Sequence, residues 1–198
     1  MIYLASASPR RSALLQQIDV PHEVRPVDID ETPRACEPPA RYARRLAEEK
    51  ARALWATLRP ADRKPVLAAD TTVALGDEIL GKPVDGDDAG RILRRLSGRD
   101  HEVHTAVALL HDGGAAARVS TSTVSFRELT PGEIAWYWGT GEPVDKAGAY
   151  AVQGHGAIFV RHLSGSYSGV MGLPLYETWE LLAPVLGLTG RGAPRPPR

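Results

Sequence analysis

The chain has 198 residues with 24 basic and 24 acidic side chains, so its formal net charge is zero. A balanced charge gives no overall field that would attract nucleic acid or an anionic membrane, so any phosphate binding must be local. The single cysteine, Cys36, excludes an internal disulfide and a multi-cysteine zinc site, and no apolar run has the length of a membrane span. We therefore expect a cytoplasmic protein.

The length suits one domain with a sizeable core, or two lobes that share a continuous sheet. We predict a single domain over residues 1–188. Residues 189–198 are rich in proline, glycine and arginine and have no apolar period, which predicts a disordered C-terminal tail.

The N-terminus predicts a strand, a turn and a helix. Residues 2–5 form a short apolar run typical of a buried strand, and apolar residues then recur at helical spacing over residues 14–18. Ser8 is placed to be the N-cap of this helix, and Pro9 is placed to be its first residue.

Two arginines lie in the first turn of that helix. The positive end of the helix dipole disfavours each of Arg10 and Arg11 by roughly 0.3 to 1 kcal/mol unless an anion neutralises the charge. Residues 6–11 therefore indicate a phosphate site. A capped surface helix whose arginines face solvent is the alternative, and this segment alone does not decide between them.

The second predicted helix carries a lysine on its apolar face. The helix follows a predicted strand at residues 22–27 and extends over about residues 38–58. Along its apolar stripe, Lys50 occupies the position between Leu46 and Leu54. The lysine either snorkels to water over the core or points into a cleft.

An aspartate follows the next apolar run. Residues 66–69 are typical of a central strand covered on both faces, and the run ends in Asp70 and Thr71 before a second apolar stretch at 72–75. The carboxyl ends of strands border the ligand crevice in open α/β sheets, so Asp70 is well placed for chemistry. A structural aspartate would more commonly cap a helix or a turn.

The middle of the chain changes from helical to alternating periodicity. A helix is predicted from about residues 85–88 to Gly98, followed by two long antiparallel strands between 101 and 126 that are joined by a turn at 112–114. His101 and His104 lie three residues apart on one strand and face opposite sides. We therefore interpret them as surface or cross-strand residues rather than a metal-binding pair.

The C-terminal third contains a loop rich in glycine and small residues. A helix is predicted to begin at Thr130, and residues 142–154 form the loop, whose composition lets backbone approach a ligand closely. A strand at 157–160, a turn at 164–169 and a last helix over 173–186 follow.

Cationic and acidic candidates come from separate predicted elements. They are Arg10, Arg11, Lys50 and Lys82 on one side, and Asp28, Asp30, Glu31 and Asp70 on the other. In phosphate chemistry, cations neutralise a polyphosphate while carboxylates hold a divalent metal and orient or deprotonate water. The chain has no Walker A motif and no dinucleotide fingerprint, which argues against a P-loop kinase or a Rossmann dehydrogenase.

Several spaced motifs follow one another along the chain: Ser6-Ala7-Ser8-Pro9-Arg10-Arg11, Ala68-Ala69-Asp70-Thr71, Lys82-Pro83, Asp145-Lys146-Ala147-Gly148-Ala149-Tyr150 with Gln153-Gly154, and Gly172-Leu173-Pro174. Together they resemble the motifs of the Maf nucleotide pyrophosphatases, and the match extends from residue 2 to about residue 187. The resemblance implies an α/β fold with an elongated mixed β-sheet flanked by helices. Its two lobes would enclose a central cleft, as in inosine triphosphate pyrophosphatases. It also implies hydrolysis of nucleoside triphosphates to the monophosphate and pyrophosphate.

The resemblance also implies catalytic roles. Asp70 matches the proposed general base, and Glu31, Lys50 and Lys82 match the other catalytic positions. A divalent cation, Mg²⁺ or Mn²⁺, would be held by Asp70 and Glu31. The resemblance does not decide whether Asp70 is the base or a metal ligand.

The implied substrate-binding residues are Ser8, Arg10, Arg11, Thr71 and Gln153. The combination of Thr71 and Gln153 looks like the subfamily that acts on dTTP and UTP, with CTP and modified pyrimidine nucleotides as further candidates. The alternatives are a 7-methyl-GTP pyrophosphatase of the same family and a non-catalytic nucleotide sensor linked to cell division. We expect a small-molecule nucleoside triphosphate as partner, with no nucleic acid and no membrane. A homodimer remains an open question.

Overall fold

The computed structural model describes residues 1–188, and the tail predicted at 189–198 lies outside them. Within this part of the chain, the strands form one mixed sheet. They are β1 (Ile2–Leu4), β2 (His22–Val24), β3 (Val66–Leu75), β4 (Glu78–Leu80), β5 (Asp100–His111), β6 (Gly114–Phe126) and β7 (Val160–Ser164). Their order is β2-β1-β3-β5-β6-β7, and β4 pairs with β3. The strand β1 runs parallel to β2 and β3, and the other pairings are antiparallel.

Helices flank this sheet. They are α1 (Pro9–Gln17), α2 (Pro39–Thr57), α3 (Gly86–Leu96), α4 (Pro131–Gly139), α5 (Tyr167–Met171) and α6 (Leu175–Val185). Short 3₁₀ helices lie at Pro60–Asp62, Ala147–Ala149 and His155–Phe159. Among the helices of residues 1–188, none combines the length and the apolar character that crossing a membrane requires.

Alternating side chains divide the N-terminal half of the sheet into two buried faces. Ile2 and Leu4 pack with α1 and α6, whereas Tyr3 packs with α2. The same alternation continues along β3, because Leu67 belongs to the first face and Ala68 to the second. Both faces are covered, which explains why this strand is apolar without interruption.

A second lobe forms around the far halves of β3 and β5. Val73 and Val103 contribute to its core, together with Leu93 of α3 and Tyr137 of α4. The predicted α/β fold, with a mixed sheet, flanking helices and two lobes, is confirmed by this topology. The single-domain boundary at residue 188 stays a prediction.

The structure corrects two strand predictions. The strand predicted to end at Asp70 continues to Leu75, because Asp70 pairs with Ala106 of β5 and its carboxylate finds a cationic partner. The strand predicted at 157–160 is instead a 3₁₀ helix at His155–Phe159 that precedes β7. The N–H groups of His155 and Gly156 bond to the side chain of Glu142, and the Ala157 N–H donates to the Gly154 carbonyl at 3.1 Å, a helical turn in place of a strand pairing.

The two histidines of β5 are both buried. His104 lies opposite Thr121 of β6, and its Nδ1 is 3.0 Å from the Thr121 hydroxyl, so the cross-strand interpretation holds there. The surface interpretation is wrong for His101, which is 2% exposed. Its Nε2 lies 2.9 Å from the Tyr150 hydroxyl, and its ring packs edge-on against Phe126. The alternating pattern along β5 predicted on which face of the sheet His101 lies. It did not predict that residues 149–152 cover this face.

Burial of His101 predicts acid destabilisation. Burial lowers its pKa from 6.5 to about 4, and the nearby Asp100 charge only partly opposes this. The unfolded chain therefore binds the proton more tightly. The folded protein therefore has its full stability above pH 6.5, and the free energy of unfolding falls by about 3 kcal/mol in total as the pH is lowered toward 4.

We expect the free energy of unfolding of His101→Phe, measured by urea titration, to fall about 3 kcal/mol less than that of the wild type between pH 7.5 and pH 4. Equal losses in the two proteins would refute a buried neutral histidine.

Candidate active site

A cavity of about 680 Å³ opens between the two lobes. Its wall is formed by the turn before α1 and the start of that helix, the middle of β3, the segment after β4, and the loops around residues 145–153 and 170–172. All nine residues predicted for catalysis or substrate binding line it: Ser8, Arg10, Arg11, Glu31, Lys50, Asp70, Thr71, Lys82 and Gln153. The other acidic candidates, Asp28 and Asp30, do not line this cavity.

Lys50 bridges the two carboxylates. The apolar stripe of α2 faces the sheet, so the lysine side chain is directed inward and is only 11% exposed. Its Nζ lies 2.7 Å from Asp70 Oδ1 and 2.6 Å from Glu31 Oε1. These contacts favour the cleft-directed interpretation of Lys50 over snorkelling.

The two carboxylates have opposite pKa shifts. Burial raises the pKa of Asp70, and the charges of Lys50 and Arg11 only partly oppose this effect. Burial also acts on Glu31, but there the hydrogen bond and charge of Lys50, together with the charges of Lys82 and Arg11, outweigh it, so the pKa of Glu31 is lowered. Asp70 is thus the better proton acceptor of the pair, while Glu31 stays ionised.

The loop that carries Glu31 is attached to α2. The Tyr42 hydroxyl donates to the Glu31 carbonyl at 2.7 Å, and Arg45 donates to the Thr32 carbonyl at 3.1 Å. The carboxylate of Asp30 accepts from the Thr32 N–H at 2.9 Å, which gives Asp30 a turn-forming role. The sequence did not identify Tyr42 as a site residue, because its role depends on a contact with a distant loop.

The start of α1 confirms the predicted positions of Ser8 and Pro9. Ser8 is the N-cap by backbone conformation and makes no side-chain capping bond, and Pro9 occupies the first turn. The arginines do not simply extend into solvent. Arg10 Nε donates to the Met171 carbonyl at 3.3 Å, and Arg11 Nε donates to the Gly172 carbonyl at 2.8 Å.

Arg11 makes two further hydrogen bonds, to Ser6 Oγ at 3.0 Å and to Thr71 Oγ1 at 3.3 Å. Burial lowers the pKa of its guanidinium, with the Asp70 charge opposing. These contacts fix the position of the guanidinium and leave some of its N–H groups for an anion.

Thr71 belongs to a chain of hydrogen bonds that begins at Arg11. The Thr105 hydroxyl is 2.7 Å from the Gly169 carbonyl and 3.0 Å from the Thr71 hydroxyl. A carbonyl can only accept, so Thr105 donates to Gly169, Thr71 donates to Thr105, and Arg11 donates to Thr71. The hydroxyl proton of Thr71 is therefore engaged within the protein. Sequence analysis missed Thr105, although a polar residue on a buried strand face is the pattern that marks it.

The remaining predicted residues lie at the cavity mouth. Lys82 and Gln153 are exposed, and the charge of Lys82 contributes to lowering the pKa of Glu31. Lys146 adds a further cationic side chain to the wall. Burial and the Arg10 charge lower the pKa of Lys146, as expected for a cation placed among cations. The sequence noted Lys146 only within the family motif.

The donor set fits a divalent cation of the magnesium type. In residues 1–188, no group of three or more His, Cys, Asp or Glu side chains is placed to hold a metal. Magnesium sites, however, commonly use one or two carboxylates together with water and substrate phosphates. Lys50 bonds to one oxygen of Asp70 and one of Glu31, so a second oxygen remains on each carboxylate, and that of Asp70 has only a long contact of 3.5 Å with the Thr72 hydroxyl.

Comparison with known proteins gives related chains of similar length. A dTTP/UTP pyrophosphatase of Nitrosomonas europaea is 51% identical over 191 residues, which covers 91% of this chain and 92% of the relative. A protein of the same name from Xanthomonas axonopodis pv. citri is 53% identical over 184 residues, covering 92% of this chain and 97% of the relative. Among solved structures, the Ham1 protein of Staphylococcus aureus matches with 15% identity and a TM-score of 0.48 over 94% of this chain and 97% of that one. The family model described as Maf-like protein matches residues 1–185, and the chain belongs to this family.

Proposed function

We propose that the protein hydrolyses nucleoside triphosphates, dTTP and UTP first among them, to the nucleoside monophosphate and pyrophosphate. The observation that carries the proposal is the lysine-bridged carboxylate pair, Asp70 and Glu31, in a cavity that arginines and lysines also line. Relatives at 51% and 53% identity carry the name dTTP/UTP pyrophosphatase, which supports the same reaction here.

In the proposed reaction, Asp70 accepts a proton from the water that attacks the α-phosphorus. Its raised pKa brings the carboxylate closer to the working pH, as general-base catalysis requires. Lys50 donates to Asp70 Oδ1 at 2.7 Å, so Oδ2, which lies 3.5 Å from the Thr72 hydroxyl oxygen, is the oxygen proposed to accept the proton. Glu31 remains ionised beside Asp70 and makes a second ion pair with the lysine.

The cationic residues act on the leaving group. Arg10, Arg11, Lys82 and Lys146 line the cavity, so they surround a triphosphate placed there. Pyrophosphate departs with extra negative charge, and fixed cations offset that charge without reorganising during the reaction. Arg11 is the most rigid of them, because three of its nitrogens are bonded to protein groups.

Glu31 would hold Mg²⁺ or Mn²⁺ through the oxygen that Lys50 does not use, and Asp70 would be a second ligand in the alternative in which it is not the base. When bound, the ion supplies Lewis-acid polarisation of the phosphoryl oxygens.

Gln153 is the proposed contact to the nucleobase. A glutamine amide offers a donor and an acceptor, which suit the O4 and N3–H edge of uracil or thymine. Gln153→Ala is expected to lower the ratio of kcat/KM for UTP to that for ITP by about tenfold, with a smaller effect on kcat for UTP. Steady-state kinetics measure both quantities, and Gln17→Ala on the exposed face of α1 is the matched control. An unchanged substrate ranking would rule out base contact by Gln153.

Product analysis tests the proposed function. The protein is incubated with Mg²⁺ or Mn²⁺ and a panel of dTTP, UTP, CTP, 7-methyl-GTP and ITP, and the products are separated by ion-exchange chromatography. We expect dTTP and UTP to give the monophosphate and pyrophosphate. Preference for 7-methyl-GTP would retain the chemistry and overturn the base assignment. Nucleotide binding without turnover would favour the non-catalytic sensor.

A further inference from the structure

Tyr137 and Glu142 lie outside the cavity wall but hold the segment that carries Gln153. Tyr137 is fully buried in α4. Its hydroxyl donates to Glu142 Oε1 at 2.7 Å and accepts from the Ala151 N–H at 3.0 Å. One side of the segment is thereby attached to α4, two residues before Gln153.

Glu142 attaches the other side of the same segment. Its Oε2 accepts from the His155 N–H at 2.8 Å, and its Oε1 accepts from the Gly156 N–H at 3.0 Å. The His155 Nδ1 lies 3.1 Å from Oε2. Burial acts to raise the pKa of Glu142, but these hydrogen bonds outweigh it and the pKa is lowered, so the carboxylate is ionised at neutral pH.

Two glycines make room for this arrangement. A Cβ at Gly154 would overlap the Glu142 carboxylate, and a Cβ at Gly156 would lie 2.6 Å from the Tyr137 hydroxyl oxygen. The Glu142 side chain cannot move aside without breaking its hydrogen bonds. Gly154 has a φ of −121°, so its need for glycine arises from close packing and not from backbone conformation.

We propose that the Tyr137–Glu142 pair is a specificity-determining positioning unit, which sets the distance between Gln153 and the phosphate-binding residues and thereby the size of nucleobase accepted. Gln153 is exposed, so its position depends on its backbone, and the pair fixes that backbone on both sides. Uracil and hypoxanthine present the same N–H and C=O edge on rings of different size. If the Gln153 amide is held at a fixed distance from the phosphate-binding residues, it meets the edge of one base and not that of the other. This inference rests on the proposed role of Gln153 in base recognition.

The experiment measures kcat/KM for UTP and ITP in Tyr137→Phe and Glu142→Gln. Tyr137→Phe removes only the hydroxyl and keeps the ring that packs edge-on against Phe159. We expect the UTP-to-ITP ratio to fall about tenfold in each variant, with kcat for UTP within about threefold of wild type. Tyr176→Phe, at an exposed tyrosine of α6, is the matched control.

A double variant separates positioning from general loosening. In the Gln153→Ala background, Tyr137→Phe should leave the UTP-to-ITP ratio unchanged, because the side chain that it positions is gone. In the single variants Tyr137→Phe and Glu142→Gln, hydrogen exchange should also increase at the amides of Ala151, His155 and Gly156. This second measurement does not depend on activity.

Two outcomes overturn the proposal while leaving the proposed function intact. One is a uniform loss of rate for UTP and ITP with an unchanged ratio, and the other is a further fall of the ratio in the double variant. If the wild type binds nucleotides without hydrolysing them, the proposed function fails, and the same ratio taken from dissociation constants tests the positioning role.

Discussion

Asp70→Asn is expected to lower kcat for UTP by about a thousandfold while the protein remains folded. Removal of a positioned general base reduces turnover by roughly 10²- to 10⁴-fold. The amide keeps the shape of the side chain, and Lys50 retains its ion pair with Glu31. Steady-state kinetics and thermal melting measure the two effects. Asp77→Asn, in the exposed turn after β3, controls for removal of a surface carboxylate.

The Asp70→Asn variant also distinguishes the two roles considered for this residue. If Asp70 is the base, added Mn²⁺ will not restore kcat at any concentration. If it serves mainly as a metal ligand, the activity will recover as Mn²⁺ is raised, because the ion is then only more weakly bound. Near-wild-type kcat at low Mn²⁺ would contradict both roles.

Lys50→Met is expected to affect stability and activity together. It leaves Asp70, whose side chain is 10% exposed, without the cation that it contacts directly. Breaking a buried ion pair from one side lowers the free energy of unfolding by about 3 kcal/mol or more. We also expect kcat to fall at least a hundredfold, because the orientation of Asp70 is lost.

The pH dependence of the Lys50→Met defect follows from the pKa of Asp70. Burial already raises this pKa in the wild type, and loss of the lysine raises it further. A carboxylate whose folded pKa lies above its unfolded value destabilises the fold at high pH and not at low pH. The defect should therefore be larger at pH 8 than at pH 5 in urea titrations.

The double variant Lys50→Met/Asp70→Asn is the matched control. It removes both charges, so it should regain part of the lost stability but no activity. A Lys50→Met protein that is as stable as wild type at both pH values would show that the lysine bridge contributes nothing to the fold.

The local sequence was sufficient to predict several parts of the site. The placement of Arg10 and Arg11 at a helix start followed from Ser8 and Pro9. The place of Lys50 on the inward face of α2 followed from the apolar stripe, because such a stripe faces the sheet, whereas the choice between snorkelling and the cleft did not. These features depend on residues within a few positions of one another in the chain, so local sequence patterns are enough to predict them.

Other parts depend on contacts between distant segments and could not be predicted. Asp70 lies within β3, and not at its end, because Lys50, 20 positions away in the chain, stabilises a carboxylate inside a strand. Thr105 bonds to the Gly169 carbonyl, 64 positions along the chain. The start of the 3₁₀ helix at His155–Phe159 is bound by Glu142, which accepts from the N–H groups of His155 and Gly156. None of these partners can be identified from periodicity.

Hydrolysis of UTP in ¹⁸O-labelled water tests the central claim most directly. We propose that Asp70 activates water for attack on the α-phosphorus. The product mixture is analysed by mass spectrometry after a limited number of turnovers. The account predicts ¹⁸O in UMP and none in pyrophosphate, with the labelled product lost in Asp70→Asn. Label in pyrophosphate, or in UDP or inorganic phosphate, would contradict it.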